Sequence, residues 1–534
     1  MTPAELRSLL TGEDSHDREV AVLDVRSPLA RSRGHLARSS GVPLHGLEQR
    51  VTTLVPVRTT PVVLAGEPTL DAWAARVLAG LGYDDVRLLD GGAAGWAAAG
   101  ERLHTGSGVR PKTLGEQVER DLGTPTVDPA TVAAWRAAGE DVVVLDARPH
   151  AEYVHHHVPG GLDTGGGAEL ALRALPALAA LPTSTRVVVN CAGRTRGIVG
   201  AQTLRELGVA QTVHSLSHGL PAWGWAGLDV ESGAREALAA PGPVPDEVRG
   251  RALASLGALG VPVVDLPLEP DAGRTTYLVD VRSPAEHAEG LVAGARGIQG
   301  GQLVQATDDH LAVLGARVVL VDSRDLVRAA TTARWLRLLH DGPLAVAVHD
   351  PALVGHSPAA PEPPAVPRLH PGTVPDADDL VLDLRTSAHY REGHLPGAVL
   401  ARREELPALT ERVTGRGVLV GGGGHPAPEG HDLQAPPRGA VRAEWAAAEL
   451  RAAGVDAVVL EWSPDLPATT DDERVAGDEV VDHVGPPDFG PARDAWYRDY
   501  FAWEHSLLGL TAGDPDFAFD LTTDTTADET QEQP

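Results

Sequence analysis

At 534 residues the chain is longer than one hydrophobic core supports, and it is expected to divide into three to five domains. Its net charge of −29, from 74 acidic against 45 basic residues, argues against non-specific nucleic-acid binding, and no apolar run is long enough to cross a bilayer. The polar, acidic N-terminus lacks the features of a secretory leader, so the chain reads as soluble and cytoplasmic, with neither nucleic acid nor membrane as a partner. A single cysteine, Cys191, leaves no internal disulfide, CxxC pair or cysteine-rich zinc site, and the reading includes no metal and no cofactor.

Taken in chain order, the same pattern appears four times: an apolar strand ending in Asp-x-Arg, then a second apolar strand running into a helix. In residues 1–106 the strand VAVLDVR ends at Arg26, PVVLAGEPTLDAWAARVLAGLG supplies the strand and helix, and VRLL a further strand. GSGVRP breaks the pattern before residues 125–235. There VVVLDAR ends at Arg148, RVVVNCAGRTRGIVGAQTLRELG follows, and TVHSL closes the set. After AAPGPVP, residues 246–352 carry TYLVDVR to Arg282 and RVVLVDSRDLVRAATTARWLRLL. The proline-rich SPAAPEPPAVP separates these from residues 368–470, with LVLDLR to Arg385, GVLVGGGG, and AVVLEW. Short Val- and Leu-rich runs alternating with helical periodicity predict βα units: an α/β chain of four small parallel sheets, each flanked by helices.

Residues 471–534 differ in character. AWYRDYFAWEHSLL sets Trp496, Tyr500, Trp503 and Leu507 at helical spacing, a stripe predicted to dock on a domain. The acidic stretch from Asp514 to the end, DPDFAFDLTTDTTADETQEQP, is predicted to be a mobile tail.

These residues resemble the rhodanese family, known by an early Asp-x-Arg…Gly-His pattern, a cysteine loop after a central strand and a later Gly-Gly-x-x-x-Trp element. Gly34-His35 and DGGAAGW to Trp96 fall in the first segment, HGLPAW to Trp223 in the second, and Gly393-His394 in the fourth; the third has Leu291 where the histidine belongs. The resemblance implies four tandem rhodanese-like domains. Only the second carries the thiol; alignment sets Ala65 and Asp322 at the cysteine position of the first and third, and a glycine run from Gly421 in the fourth.

The loop Cys191-Ala192-Gly193-Arg194-Thr195-Arg196-Gly197 lies between a strand and a helix start. Unpaired amides and the helix dipole favour an anion there, and Arg194 and Arg196 add positive charge. Both effects are expected to lower the thiol's pKa. The small residues let the backbone amides point inward as an anion nest. In the family's manner, Cys191 takes the sulfane sulfur of an anionic donor such as thiosulfate or 3-mercaptopyruvate as a persulfide. A small thiol, cyanide or a protein thiol then removes it. Arg148 resembles the family's substrate-contacting arginine; Asp146 is expected to fix the surrounding loop and Glu152 to pair with an arginine. The run His155-His156-His157 reads as a solvated turn, and Trp223 and Trp225 as core.

Two rival functions follow from the same residues. Cell-cycle phosphatases share this fold and a cysteine loop, but theirs places arginine six residues after the cysteine, where this chain has Gly197. A non-catalytic scaffold or sensor, docking partners on thiol-less repeats, is the other.

Overall fold

The chain is described by a computed structural model covering residues 1–11, 18–233, 237–238, 244, 246–269, 273–410, 415–422, 443–476, 482, 484–487 and 490–521. Four sheets form, built mostly of parallel strands whose Val, Leu and Ala side chains are buried on both faces. The second sheet runs Thr126–Val127, Thr212–Leu216, Arg186–Asn190, Val142–Asp146, Leu162–Asp163 from edge to edge. The third repeats this strand order with Val263–Val264, Leu344–Val348, Arg317–Asp322, Thr276–Asp280 and Arg296–Gly297. The first is built on Val20–Asp24 and the fourth on Leu380–Asp383, each strand set between its next two strands in sequence. The α/β fold of several small parallel sheets flanked by helices is the one the sequence pattern predicts.

Asp-x-Arg performs one structural task in all four places. The arginine main-chain N–H and Nε both donate to the aspartate Oδ1, and Nη2 donates to Oδ2: Arg26 to Asp24, Arg148 to Asp146, Arg282 to Asp280, Arg385 to Asp383. The same Nη2 reaches a carbonyl eight residues on, at Gly34, His156, Gly290 or Gly393. Strand end and following turn are thereby clamped by a charge-assisted fork.

Strand register corrects the alignment in the first sheet. Asp146 lies opposite Asn190, so Cys191 is the next residue; Leu23 opposite Leu64 puts Ala65 in the place of Asn190 and Gly66 in that of Cys191. The carbonyls agree, since Leu220 N donates to Cys191 O as Ala93 N donates to Gly66 O. The same register places Asp322 and Gly421 at the corresponding positions of the third and fourth sheets.

Three features depart from the expectations. The first three sheets each keep clusters of their own and also share one: a continuous cluster includes Leu64, Ile198, Tyr277 and Leu320, while the fourth sheet has two clusters apart from it. Strand Val313–Leu314, from the third segment, even pairs antiparallel with Val20–Asp24 of the first sheet. The C-terminal helix Pro491–Leu510 buries Tyr497, Phe501, Glu504 and Leu507, with Trp496, Tyr500 and Trp503 only half-buried. And Asp514–Leu521 is docked rather than mobile. Phe517, Phe519 and Leu521 join the shared core, His104 pairs with Asp514 at 3.1 Å, and Asp516 takes Arg7 at 2.9 Å. Alternating apolar residues in DFAFDL outweigh its acidity, and the buried Asp516 carboxylate pairs with Arg7 and Arg38. The tail beyond Leu521 and most of the fourth segment's glycine- and proline-rich insertion lie outside the described residues.

Candidate active site

Cys191 follows the central strand Arg186–Asn190 and precedes helix Thr195–Glu206. Gly193 N–H and Gly197 N–H both donate to Sγ at 3.3 Å. The second amide belongs to the first turn of the helix, so the thiol does sit at the positive end of the dipole. Close packing leaves no room for side chains here. A Cβ on Gly219, whose φ is +54°, would fall 2.1 Å from Cys191 O, and one on Gly197 would meet Ser215 Oγ at 2.8 Å.

The two loop arginines part company. Arg196 forms a two-pronged ion pair with Glu152, at 2.7 and 2.9 Å, and stays close enough for its charge to favour the Cys191 thiolate. Arg194 turns to the connecting helix Val109–Leu122, where Nε and Nη2 donate to Glu116 at 2.6 and 2.9 Å and Nη2 also meets Glu119. It is 5% exposed and works as a staple between loop and helix. Thr195 packs against Gly115 of that helix, where a Cβ would stand 2.9 Å from its Cγ2.

Arg148, buried with Asp146, spends its fork on the clamp shared by every sheet. Asn190 Nδ2 adds a 3.1 Å bond to Asp146 Oδ2. His157 is not solvated: it is fully buried, stacks on Tyr153 with centroids 3.9 Å apart, and places Nδ1 2.9 Å from Tyr153 O. His394 and Tyr390 repeat that stack in the fourth sheet. Among the described residues, no group of three or more His, Cys, Asp or Glu is placed to hold a metal ion.

Burial pushes the Cys191 thiol up from its ordinary value; the Arg196 charge and the Gly193 and Gly197 amides pull it down, and Glu504 pushes it further up. The expected net lowering is therefore corrected. With the residue 2% exposed, desolvation outweighs the charge and the dipole in this closed arrangement.

The thiol lies on a cavity of about 640 Å³ whose floor is the 191–196 loop with Arg148 and Glu152. Its roof is the C-terminal helix, through Trp496, Tyr497, Tyr500, Trp503 and Glu504, and Lys112 enters from the connecting helix. Trp225 lines this cavity and donates to Asp494 Oδ1 at 3.1 Å, whereas Trp223 is core, as read. Glu504 is 1% exposed; Tyr500 OH donates to its Oε1 at 2.8 Å, and Oε2 has no hydrogen-bond partner. A Cβ on Gly193 would stand 4.0 Å from that Oε2 and 3.7 Å from Phe501. Sequence reading missed this half of the site. Tyr500 was part of an apolar stripe, and nothing local ties residue 504 to residue 191; a glutamate amid aromatics on a helix was the only available signal.

A family model for the rhodanese-like domain matches residues 2–99 and 128–225. The solved thiosulfate sulfurtransferase from Pseudomonas aeruginosa is similar along nearly its whole length: 33% identity, 97% of this chain, 99% of that one, TM-score 0.83. The BH2092 protein from Bacillus halodurans (20% identity, 21% of this chain and 80% of that one, TM-score 0.19) matches a single segment. An anaerobic ergothioneine biosynthesis enzyme from Chlorobium limicola has 16% identity, 66% and 95% coverage and a TM-score of 0.23. No curated protein matches the sequence. The chain belongs to the rhodanese-like family, with that family's domain in at least two copies.

Proposed function

We propose that the protein is a rhodanese-type sulfurtransferase that carries sulfane sulfur as a persulfide on Cys191. The observation that carries this reading is the setting of Sγ: two inward amides at a helix start, the Arg196 charge beside it, and a roofed cavity in front. The 33% identity to a thiosulfate sulfurtransferase supports it. An anionic donor enters the cavity and the thiolate attacks its transferable sulfur: the S–S bond of thiosulfate breaks with sulfite leaving, or the C–S bond of 3-mercaptopyruvate with pyruvate leaving. The amides then hold the persulfide anion, and a small thiol, cyanide or protein thiol takes the sulfur on. Arg196 is the cation that meets the reacting sulfur; Glu152 and the Asp146–Arg148 clamp keep it in place.

On this reading each of the four sheets is a rhodanese-like domain, at about 1–106, 125–235, 246–352 and 368–470, and three of them lack a thiol. Among the described residues no helix is long and apolar enough to cross a membrane, in keeping with a cytoplasmic enzyme. The test is intact mass after incubation with each donor. One added sulfur, removed by cyanide and absent from Cys191→Ser, supports the proposal; an unchanged mass with both donors on folded protein refutes it.

A further inference from the structure

Burial leaves Cys191 as a thiol, and the sulfur-transfer reading needs a thiolate; the cavity must therefore contain a place for the proton. Arg196 and the loop amides supply positive charge but accept nothing. The carboxylate nearest the loop on the floor, Glu152, has both oxygens committed to Arg196. Asp146 has both committed to Arg148. Glu504, on the roof, has one oxygen held by Tyr500 OH and the other unpartnered, buried and standing over Gly193, whose N–H is itself on Sγ.

We propose that Glu504 is the proton acceptor of this site, taking the Cys191 proton when sulfur is loaded and returning it when sulfur is discharged. The proposal rests on the sulfur-transfer reading. In loading, the S–H proton passes to Glu504 Oε2, directly or across one water, and the freed electron pair forms the new S–S bond to the donor's sulfane sulfur. The donor's own S–S bond breaks with its pair on the departing sulfite. Cys191 is left as a persulfide anion in the amide nest. In discharge, an acceptor thiolate bonds to the outer sulfur, the pair of the Cys191 S–S bond returns to Sγ, and Glu504 returns the proton. The sum moves one sulfur from thiosulfate to the acceptor, with no oxidant or reductant consumed.

The surroundings suit a carboxyl that works near neutrality. Burial raises Glu504, opposed by Lys112 and by the Tyr500 hydrogen bond; Glu116 raises it further and Arg194 lowers it, and the result is pushed up to about 7. Those groups come from the connecting helix, the roof helix and the 191–196 loop, the elements that enclose it. Desolvation under the roof and the adjoining Glu504 hold Tyr500 well above its ordinary value, so it remains a phenol that donates to Glu504 throughout this range. It is a positioning residue.

Sulfur loading by thiosulfate, followed by intact mass against time from pH 5.5 to 9, tests the assignment on the full chain. Wild type is expected to lose rate below about pH 7, as Glu504 fills with a proton. Glu504→Gln keeps the shape, and its loading at pH 8 is expected to fall at least about tenfold, with the break near pH 7 replaced by a rate that climbs with the thiolate across the whole range. Tyr500→Phe removes a hydrogen bond that lowers the Glu504 value, so the acidic limb moves to higher pH while loading at pH 9 persists. Wild-type loading rates and an unchanged acidic limb in Glu504→Gln overturn the proposal. Should that variant not fold, an unmoved limb in Tyr500→Phe overturns it. Wild type that never gains sulfur refutes the sulfurtransferase reading itself, a result distinct from these.

Discussion

The loops at Cys191 and Asp322 hold the same station in two sheets of identical strand order, and they solve one problem in opposite ways. In both, strand and helix meet so that backbone amides converge on a point. At Cys191, Gly193 and Gly197 present theirs to a sulfur that faces a cavity. At Asp322, Ser323 and Ala329 present theirs, at 2.7 and 2.9 Å, to a carboxylate that is fully buried. Arg328 closes that station: its Nε lies 2.8 Å from Asp322, and the rest of the guanidinium binds Glu286 and Glu169. The first sheet follows the second strategy, with Gly66 N–H donating to both oxygens of the buried Asp71. An anion-binding nest without a thiol is thus satisfied by an internal carboxylate. Charge that faces a cavity at Cys191 becomes, at Asp322, charge that holds segments together.

The largest effect is expected where the internal anion is removed. Asp322→Ala leaves the Ser323 and Ala329 amides and Arg328 Nε without their acceptor, and each buried group so stranded costs about 1–3 kcal/mol. Glu169, from the helix Gly167–Ala179 of the second sheet, ends at the same guanidinium, so the loss should be felt across both sheets as one unfolding transition. Urea unfolding followed by tryptophan fluorescence measures it. A variant within about 0.5 kcal/mol of wild type breaks the comparison, because the carboxylate would then be no structural replacement. Asp322→Cys sharpens it: the new thiol is expected to gain no sulfur, since residue 322 is fully buried.

Arg194 and Arg196 provide the next contrast, within one loop. Arg196→Gln removes the cation beside the sulfur and leaves the half-buried Glu152 without its partner; sulfur loading is expected to fall about 100-fold, or ~2.7 kcal/mol in the barrier. Arg194→Gln removes a staple to Glu116 and Glu119 instead. It is expected to cost about 1–3 kcal/mol of stability with loading within about threefold of wild type, since the group does not touch the thiol. Equal losses of loading in the two variants, followed by the same mass assay, would show that the loop acts as an undivided cluster of positive charge.

The sequence carried this distinction only in part. Four Asp-x-Arg strands, the cysteine loop and the α/β pattern are local, and local pattern is what periodicity reports. Gly66 was misread as Ala65 because LAG offers two small residues and only the ladder to Leu23 fixes which one ends the strand. Arg194 read as a charge on the substrate side of the loop because its partners, Glu116 and Glu119, lie far back in the sequence. Glu504 and Tyr500 were hidden by still greater separation, and so was the cluster that the first three sheets share beside their own. Tertiary contacts between distant segments, not weak propensities, account for every one of these differences.

The smallest expected effect concerns pH. Burial raises Asp71 from its ordinary carboxylate value to about 7, against the lowering by the Gly66 amide. A group that binds its proton more tightly folded than unfolded stabilises the fold fully below its unfolded value near 4, and that contribution is lost as pH rises through about 7. The slope from one such group is at most ~1.4 kcal/mol per pH unit. Asp322, raised to about 6, has the same sign, so the useful quantity is the difference between wild type and Asp71→Asn, which keeps an oxygen for Gly66 but cannot ionise. The variant is expected to match or fall slightly below wild type at pH 5 and to exceed it at pH 8, with the two urea midpoints crossing between. Parallel midpoints over that range would mean that Asp71 is ionised in the fold throughout. The first sheet's nest would then hold a carboxylate anion, as a competent site holds its persulfide, rather than a neutral acid.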